Sequence, residues 1–386
     1  MTLIMEEWKE YKLEEVCSRL RSGKGIKSDR ISNIGLFPVI GGNGMRGYTN
    51  KSNFKGECAV IGRQGANCGN VRFFMGEAYM TEHAVVAVGN ELADSYFLAR
   101  LLSLMHLGNL SAQSAQPGLS IQTLSKQIIR LPSISYQREI STVLKSLDDK
   151  IELNRRINDN LEQQAQALFK SWFVDFEPFK KGKFIDSELG LIPEGWQVEE
   201  LGNITNSITE KVGKRTDIKV LSPVNTGDLL LSEEYFTKQV YSKNLAKYIM
   251  VAPNDFAYNP ARINIGSIGM NTFDFSGCVS PVYIVFRCEK EYHHFFNIFK
   301  ATKNFKEEVN TRAIGGVRQT LSYKDFSLIK IVYPPKEVVE QLNKIYSHIM
   351  TLIKKNVLEN KRLHQTRDTL LPKLMSGELI INDINN

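Results

Sequence analysis

The amino-acid sequence predicts an α+β chain in which two globular segments of mixed strand and helix content are carried on two long, coiled-coil-like helices that pair antiparallel. Three observations predict it. First, Ile140, Leu144, Leu147, Ile151, Asn154, Asn158, Leu161, Ala165, Leu168 and Trp172 recur at alternating spacings of four and three, the pattern of a helix that packs lengthwise on a partner. Second, a constant offset of 202 positions lays this stripe on Leu342, Tyr346, Ile349, Ile353, Asn356, Asn360, Leu363 and Leu370. Third, the same offset lays Leu119, Ser120 and Pro132 on Leu321, Ser322 and Pro334. The chain reads as a tandem repeat of a globular segment followed by a long helix.

No Gly or Pro interrupts the stripe from Ile140 to Trp172, so the helix runs for roughly 35 residues, about 50 Å at about 1.5 Å per residue. That exceeds what a globular domain ordinarily needs and reads as a spacer. Polar residues at seam positions cost stability and fix register, so the repeated asparagines are informative. If a pseudo-twofold axis relates the repeats, the helices lie antiparallel. Asn154 then opposes Asn360 and Asn158 opposes Asn356, in a polar layer at the middle of the seam. Arg367 stands where the first repeat has the small Ala165, so the pseudo-symmetry weakens toward the helix ends.

At 386 residues with 42% hydrophobic and 24% charged content, the chain has room for two or three domains with proper cores. The net charge of +7 and pI near 8.9 favour an acidic partner such as nucleic acid. The five cysteines, Cys17, Cys58, Cys68, Cys278 and Cys288, are scattered without a CxxC pair, as suits a reducing cytoplasm. The N-terminus turns polar at Glu6 without the apolar core of a signal peptide, and no apolar run reaches membrane-spanning length.

Taken in order, residues 1–136 form the first globular segment. It carries strand-like runs at Phe37 to Ile40, Cys58 to Ile61, Val71 to Phe74 and Ala84 to Val88, a helix near Ser95 to Leu107 and a closing strand in IIRLP. Residues 137–179 form the first spacer helix and 180–195 an exposed linker with Lys180, Lys181 and Lys183. Residues 196–336 repeat the order, with strands near Tyr248 to Val251, Asp255 to Tyr258 and Val282 to Arg287, a helix near His293 to Val309 and a closing strand in LIKIVYP. Residues 337–376 form the second spacer helix and 377–386 a disordered polar tail. Each segment opens with a Trp, Trp8 or Trp196, just ahead of a hydrophobic-Glu-Glu-hydrophobic run, Leu13 to Val16 or Val198 to Leu201.

Enzyme signatures fail one by one. Gly42, Gly44 and Gly47 spell GxGxxG, but the following YTNKSNF does not open a helix. Asn259, Pro260, Ala261 and Arg262 begin like the NPP-aromatic motif of amino-methyltransferases yet lack the aromatic that stacks a flipped base. No Walker lysine loop, HExxH or paired carboxylate motif occurs. His293 and His294 sit in an apolar helical context that favours packing over metal binding. Glu82 and His83, read as adjacent strand residues, point to opposite faces and make no acid-base pair. The chain reads as non-catalytic, with no cofactor of its own.

Loops rich in Arg, Gln, Asn and Gly follow a strand in each segment instead. Arg63, Gln64 and Asn67 lie in GRQGANCGN, and Arg262 and Asn264 in NPARINIGSIG. Arginine grips guanine bidentately and Asn or Gln grips adenine, which makes these the candidate base readers. Lys24, Lys27 and Arg30, with Lys211, Lys214 and Arg215, are candidates for phosphate contacts, which position a duplex without specifying its sequence. Two readings compete with sequence-specific DNA binding: a standalone DNA-modifying enzyme, and a scaffold that binds no nucleic acid.

The stretch LDDKIELNRRINDNLEQQAQALFKSWFVDFEPF, the C-terminal RDTLLPKLMSGEL, the segment start from Pro193 to Trp196 and the loop VIGRQGANCGNV together resemble the DNA specificity subunits of type I restriction-modification systems. The resemblance spans essentially the whole chain. It implies two target recognition domains, each reading one half of a split double-stranded DNA site, with the helices as a ruler for the unread gap. It implies catalysis on partners alone: two modification subunits that use S-adenosylmethionine to methylate adenine, and restriction subunits that use ATP and Mg to translocate and cleave. Leu153, Ile157, Phe169, Phe173, Val174 and Phe176 lie off the seam, where they meet either a docked subunit or the adjacent recognition domain.

Overall fold

The computed structural model describes residues 7–111, 118–236, 238–313 and 320–381. The chain divides into two compact units. One consists of residues up to Arg155 together with those from Asn356 onward, and the other is continuous from Arg156 to Lys355.

The first unit begins with β1 (Lys9–Lys12), β2 (Cys17–Ser22), β3 (Phe37–Gly41), β4 (Gly44–Thr49), β5 (Phe54–Gly62), β6 (Val71–Met80) and β7 (Ala84–Gly89). There follow α1 (Ser95–Leu104), α2 (Ile121–Ser125), β8 (Ile128–Leu131) and the long helix α3 (Ile134–Phe173). Six strands form one sheet in the order β2-β7-β5-β6-β3-β4, antiparallel except where β3 runs parallel to β6. Period-two alternation gives this sheet two buried faces. Ala59, Ile61, Val71, Val85 and Ala87 pack with Tyr96, Phe97 and Leu102 of α1, whereas Cys58, Val60, Met80 and Val86 form a smaller cluster on the other face. Asp94 caps α1, its carboxylate accepting from the Phe97 amide at 2.9 Å.

The second unit holds β9 (Phe184–Ser187), β10 (Gly190–Pro193), β11 (Gln197–Glu200), α4 (Leu201–Ile204), β12 (Thr205–Ile208), β13 (Leu221–Pro223), β14 (Leu229–Leu231), α5 (Ser232–Tyr235) and β15 (Ile249–Val251). Next come β16 (Phe256–Tyr258), β17 (Ile268–Met270), β18 (Gly277–Val279), β19 (Ile284–Cys288), α6 (His293–Phe299), α7 (Lys303–Arg312), α8 (Tyr323–Ser327), β20 (Lys330–Tyr333) and the long helix α9 (Lys336–Ser376). Its main sheet has the order β12-β19-β16-β17, the counterpart of β2-β7-β5-β6. The antiparallel pair β11 and β20 likewise repeats β1 and β8. The repeat extends to single hydrogen bonds. Leu119 N–H donates to Arg63 O at 2.9 Å in the first unit, and Leu321 N–H donates to Pro260 O at 3.0 Å in the second. The contents differ: the first unit adds β3 and β4 to its sheet, while the second adds the separate pairs β13–β14 and β15–β18.

Several sequence expectations are corrected. The helix expected near His293 to Val309 is two helices, because Thr302 caps a fresh start, its hydroxyl accepting from the Phe305 amide at 3.3 Å. The linker expected at 180–195 folds into the β9–β10 hairpin, closed by Gly190 at φ +97°. The central helix begins at Ile134, ahead of the expected Gln137, and ends at Phe173, short of Phe179; Phe176 then takes a left-handed turn at φ 53°. The tail is ordered as far as Ile381. Gly377 ends α9 at φ +76° against the Trp8 indole, where a Cβ would come within 2.8 Å of Nε1, and Ile381 is buried. Residues 382–386 of the expected disordered tail lie outside the described residues. The turns SAQSAQPGLS and AIGGVRQTLS fall partly there too.

Trp196 performs the matching task at the end of α3, its ring 5.7 Å from Phe173, 5.4 Å from Phe176 and 5.1 Å from Phe179. Phe169 and Phe173 are thereby buried in the second unit's own core with Phe295, so of the two roles open to them the structure gives the second. Leu153, Ile157 and Val174 stay exposed.

Within each unit the helical segments run antiparallel. In the second unit Ala165, Phe169 and Phe173 share a core with Val339, Leu342 and Tyr346. In the first, Ile140 and Leu144 share one with Leu371, Leu374 and Met375. Asn154, 1% exposed, donates to Asn360 Oδ1 at 2.9 Å and to Glu359 Oε2 at 2.8 Å, and Asn360 donates on to Ile151 O at 3.3 Å. About two turns nearer the helix end, Arg367 reaches Asp148 at 2.8 Å, and Asp148 also accepts from Tyr96 and Arg100. Asn158 and Asn356 are half-buried. Replacing Asn154 by Ala removes both of its hydrogen bonds across the seam and is expected to lower stability by about 1–3 kcal/mol, measured by urea unfolding.

Candidate nucleic-acid interface

Three turns meet at one end of the first unit's sheet. The hairpin between β3 and β4 contains the GxGxxG glycines, and Gly42 fits so closely that a Cβ would lie 2.6 Å from His83 O and 3.2 Å from the Gly62 Cα. Arg63 N–H donates to His83 O at 3.0 Å, tying the loop after β5 to the turn between β6 and β7. Glu82 and His83 occupy that turn and not a strand, so both reach one side, with His83 Nε2 3.5 Å from Glu82 Oε1. The adjacency rule for strands does not apply to them.

The candidate readers Arg63, Gln64 and Asn67 lie in this cluster. Arg63 is half-buried with both backbone polar groups bonded, Gln64 is exposed, and Asn67 O accepts from Asn70 N–H at 3.1 Å to close the loop. Cys68 Sγ donates to Arg63 O at 3.3 Å, and burial raises its thiol pKa. Lys24 joins the cluster through its backbone, which donates to Met80 O at 2.9 Å, leaving its side chain exposed. Lys27 and Arg30 flank the short 3-10 turn that follows and are also exposed.

In the second unit the corresponding loop leaves β16. Arg262 is exposed, its N–H donating to Asn259 O at 2.9 Å and its carbonyl accepting from Ser267 N–H at 3.1 Å. Asn264 is half-buried on a 3-10 turn that ends at Gly266, φ +95°, where a Cβ would lie 2.6 Å from Asn225 O. Burial raises the Tyr283 phenol pKa while the nearby Arg262 charge opposes the rise. Lys211 and Lys214 are exposed, whereas Arg215 is engaged with Glu210 Oε1 at 2.5 Å and Lys211 O at 3.0 Å. The structure gathers Arg63, Gln64, Asn67 and Lys24 at one sheet end, and Arg262 with Asn264 on one loop.

Chemistry beyond binding finds no site here. The His294 ring packs on Tyr346, and burial, with His293 and Lys354 nearby, pulls its pKa down to about 3. Burial pushes the Cys17 and Cys58 thiols up to about 12, away from nucleophilic use. Among the described residues no group of three or more His, Cys, Asp or Glu is placed to hold a metal ion, and no helix is long and apolar enough to cross a membrane.

A family model described as the type I restriction modification DNA specificity domain matches residues 5–163. The chain is 29% identical over 306 residues to the type I restriction enzyme MjaIX specificity subunit of Methanocaldococcus jannaschii, covering 72% of this chain and 67% of that protein. It is 37% identical over 134 residues to the type I restriction enzyme EcoprrI specificity subunit of Escherichia coli, covering 34% and 33%. Residues 5–163 carry a type I restriction-modification DNA specificity domain. Its fold is also that of a solved S subunit from M. genitalium, at a TM-score of 0.60 and 17% identity over 97% of both chains.

Within this specificity domain the glycines of the first unit's loops hold three turns in van der Waals contact. Gly42→Ala is expected to wedge the hairpin away from His83 and Gly62, lowering the melting temperature by several degrees, as a cost of about 1–3 kcal/mol would. Calorimetry on the full chain measures it.

Proposed function

We propose that the chain directs a type I restriction-modification complex to a bipartite DNA site, residues 1–136 reading one half and residues 196–336 the other. The observation that carries this reading is the recurrence of one sheet order in both units, with an Arg-bearing loop leaving the same strand each time, β5 in the first and β16 in the second. Shared framework with diverged loops is what two readers of different half-sites require. The spacer helices, α3 and α9, set the unread gap. The Asn154–Asn360 pair supports this role, because a bonded polar layer resists slippage of one helix along the other.

Catalysis belongs to the partners. Two modification subunits carry S-adenosylmethionine and methylate adenine, and restriction subunits supply ATP- and Mg-dependent translocation and cleavage. Exposed apolar side chains on α3, Leu153 at 48% and Ile157 at 39%, give such partners a surface to cover.

Two outcomes test this reading in the complex assembled with its modification subunits. Arg63→Ala is expected to relax base preference in one half-site, and Arg262→Ala in the other, by roughly 1–3 kcal/mol of discrimination each, read by single-molecule mapping of adenine methylation. Unchanged preference in both halves refutes the loop assignment. Inserting seven residues at matched points of α3 and α9 lengthens the spacer by about 10 Å and is expected to lengthen the accepted gap by about three base pairs. A gap that stays fixed refutes the ruler.

A further inference from the structure

The face of the first unit's sheet that turns away from α1 carries arginines that no sequence motif gathers. Strand register places Arg21 on β2 opposite Val86 on β7, Val86 opposite Val60 on β5, and Val60 opposite Arg72 on β6. Arg21 and Arg72 therefore end one transverse row, about 14 Å apart at about 4.8 Å per strand, with two buried valines between them. Arg19, two residues before Arg21, lies on the same face with its guanidinium 5.3 Å from the Phe54 ring centroid, and its Nε is buried without a hydrogen-bond partner.

Arg72 reaches across this face to the β3–β4 hairpin. Gly44, at φ +106°, lies directly beneath its guanidinium, and a Cβ there would collide with Arg72 Nη1. The glycine thus makes room for the arginine head, which stays exposed. Arg46, two residues further along the hairpin, is exposed. Among the described residues no carboxylate pairs with Arg21, Arg46 or Arg72. Exposed arginines sharing a face without a counter-charge leave a positive surface that an anion can occupy.

We propose that this arginine face is the DNA-bearing surface of the first unit, with Arg72 a specificity-determining residue that reads a base edge and Arg21 a phosphate contact. The inference rests on the chain being a reader of split DNA sites. An exposed arginine head seated beside a glycine of the hairpin has its planar fork open to a ligand, which suits bidentate contact with guanine. Arg21 is exposed at the far end of the row, away from the hairpin, which suits a backbone phosphate. The β3–β4 pair is joined to the main sheet in the first unit only, so the reader it completes belongs to one half-site.

The test uses the full chain assembled with its modification subunits, and maps adenine methylation by single-molecule sequencing for wild type, Arg72→Lys, Arg72→Ala and Arg21→Ala. With a split motif in wild type, Arg72→Lys and Arg72→Ala are expected to relax one position of one half by about tenfold or more, as loss of a bidentate pair does. Arg21→Ala is expected to leave the motif unchanged while methylation falls and its salt sensitivity is reduced. The second half, intact in the same reads, shows that each variant folds and assembles. A split motif unaltered by both Arg72 substitutions overturns the proposal and leaves the two-reader assignment standing. The absence of a split motif in wild type overturns both.

Discussion

Burying Asn154 is possible only where another polar group meets it, and Asn360 with Glu359 are the groups that do. This fixes one residue of α3 against one residue of α9, and the rest of the first unit follows from it. With that register, Arg367 falls opposite Asp148 and can share it with Tyr96 and Arg100 of α1. Leu371, Leu374 and Met375 then arrive at the apolar cluster under α1, and Gly377 at the Trp8 indole. A slip by one turn moves every one of these partners by about 5 Å and leaves the buried Asn154 amide without its bonds. The apolar seam alone tolerates such a slip, since one Leu layer packs much like the next. The polar layer does not.

The second unit solves the same problem without an equivalent of the Arg367–Asp148 pair. Its helical segments are held by Ala165, Phe169 and Phe173 in an aromatic cluster that includes Phe295 and Trp196. Close packing of rings is directional enough to select one arrangement, because edge-to-face and offset geometries leave few alternatives. One repeat uses charge at the helix end and the other uses aromatic shape.

The long helices were legible because a 3–4 spacing sustained over more than eight turns has no competing explanation, and the repeat was legible because the asparagines break that pattern twice at the same offset. Strands with apolar runs, such as β5 and β7, were legible for a similar reason. β1, β2 and β12 were not, since polar residues such as Arg21 and Asn206 occupy their exposed positions and their pairing partners lie far away in sequence. Missing β2 meant missing the arginines it carries, whose common face exists only once register is known. Arg63 was legible as a loop residue, but its junction with His83 depends on a hairpin that the glycines permit and do not announce. The helix ends were misplaced because the signals that stop α3 are tertiary, a left-handed Phe176 set edge-to-face against Trp196.

The first unit is discontinuous in the chain, whereas the second is not. Leu371, Leu374, Met375 and Ile381 belong to the same core as Leu13, Phe97 and Leu144, yet all of the second unit intervenes between them. During synthesis the second unit has its whole core available once Lys355 has emerged, while the first must hold an unfilled apolar surface until α9 has been extended past it. The order of assembly is written into the topology: the reader encoded first is completed last, and its closure over Trp8 and Gly377 draws together the two ends of the folded chain.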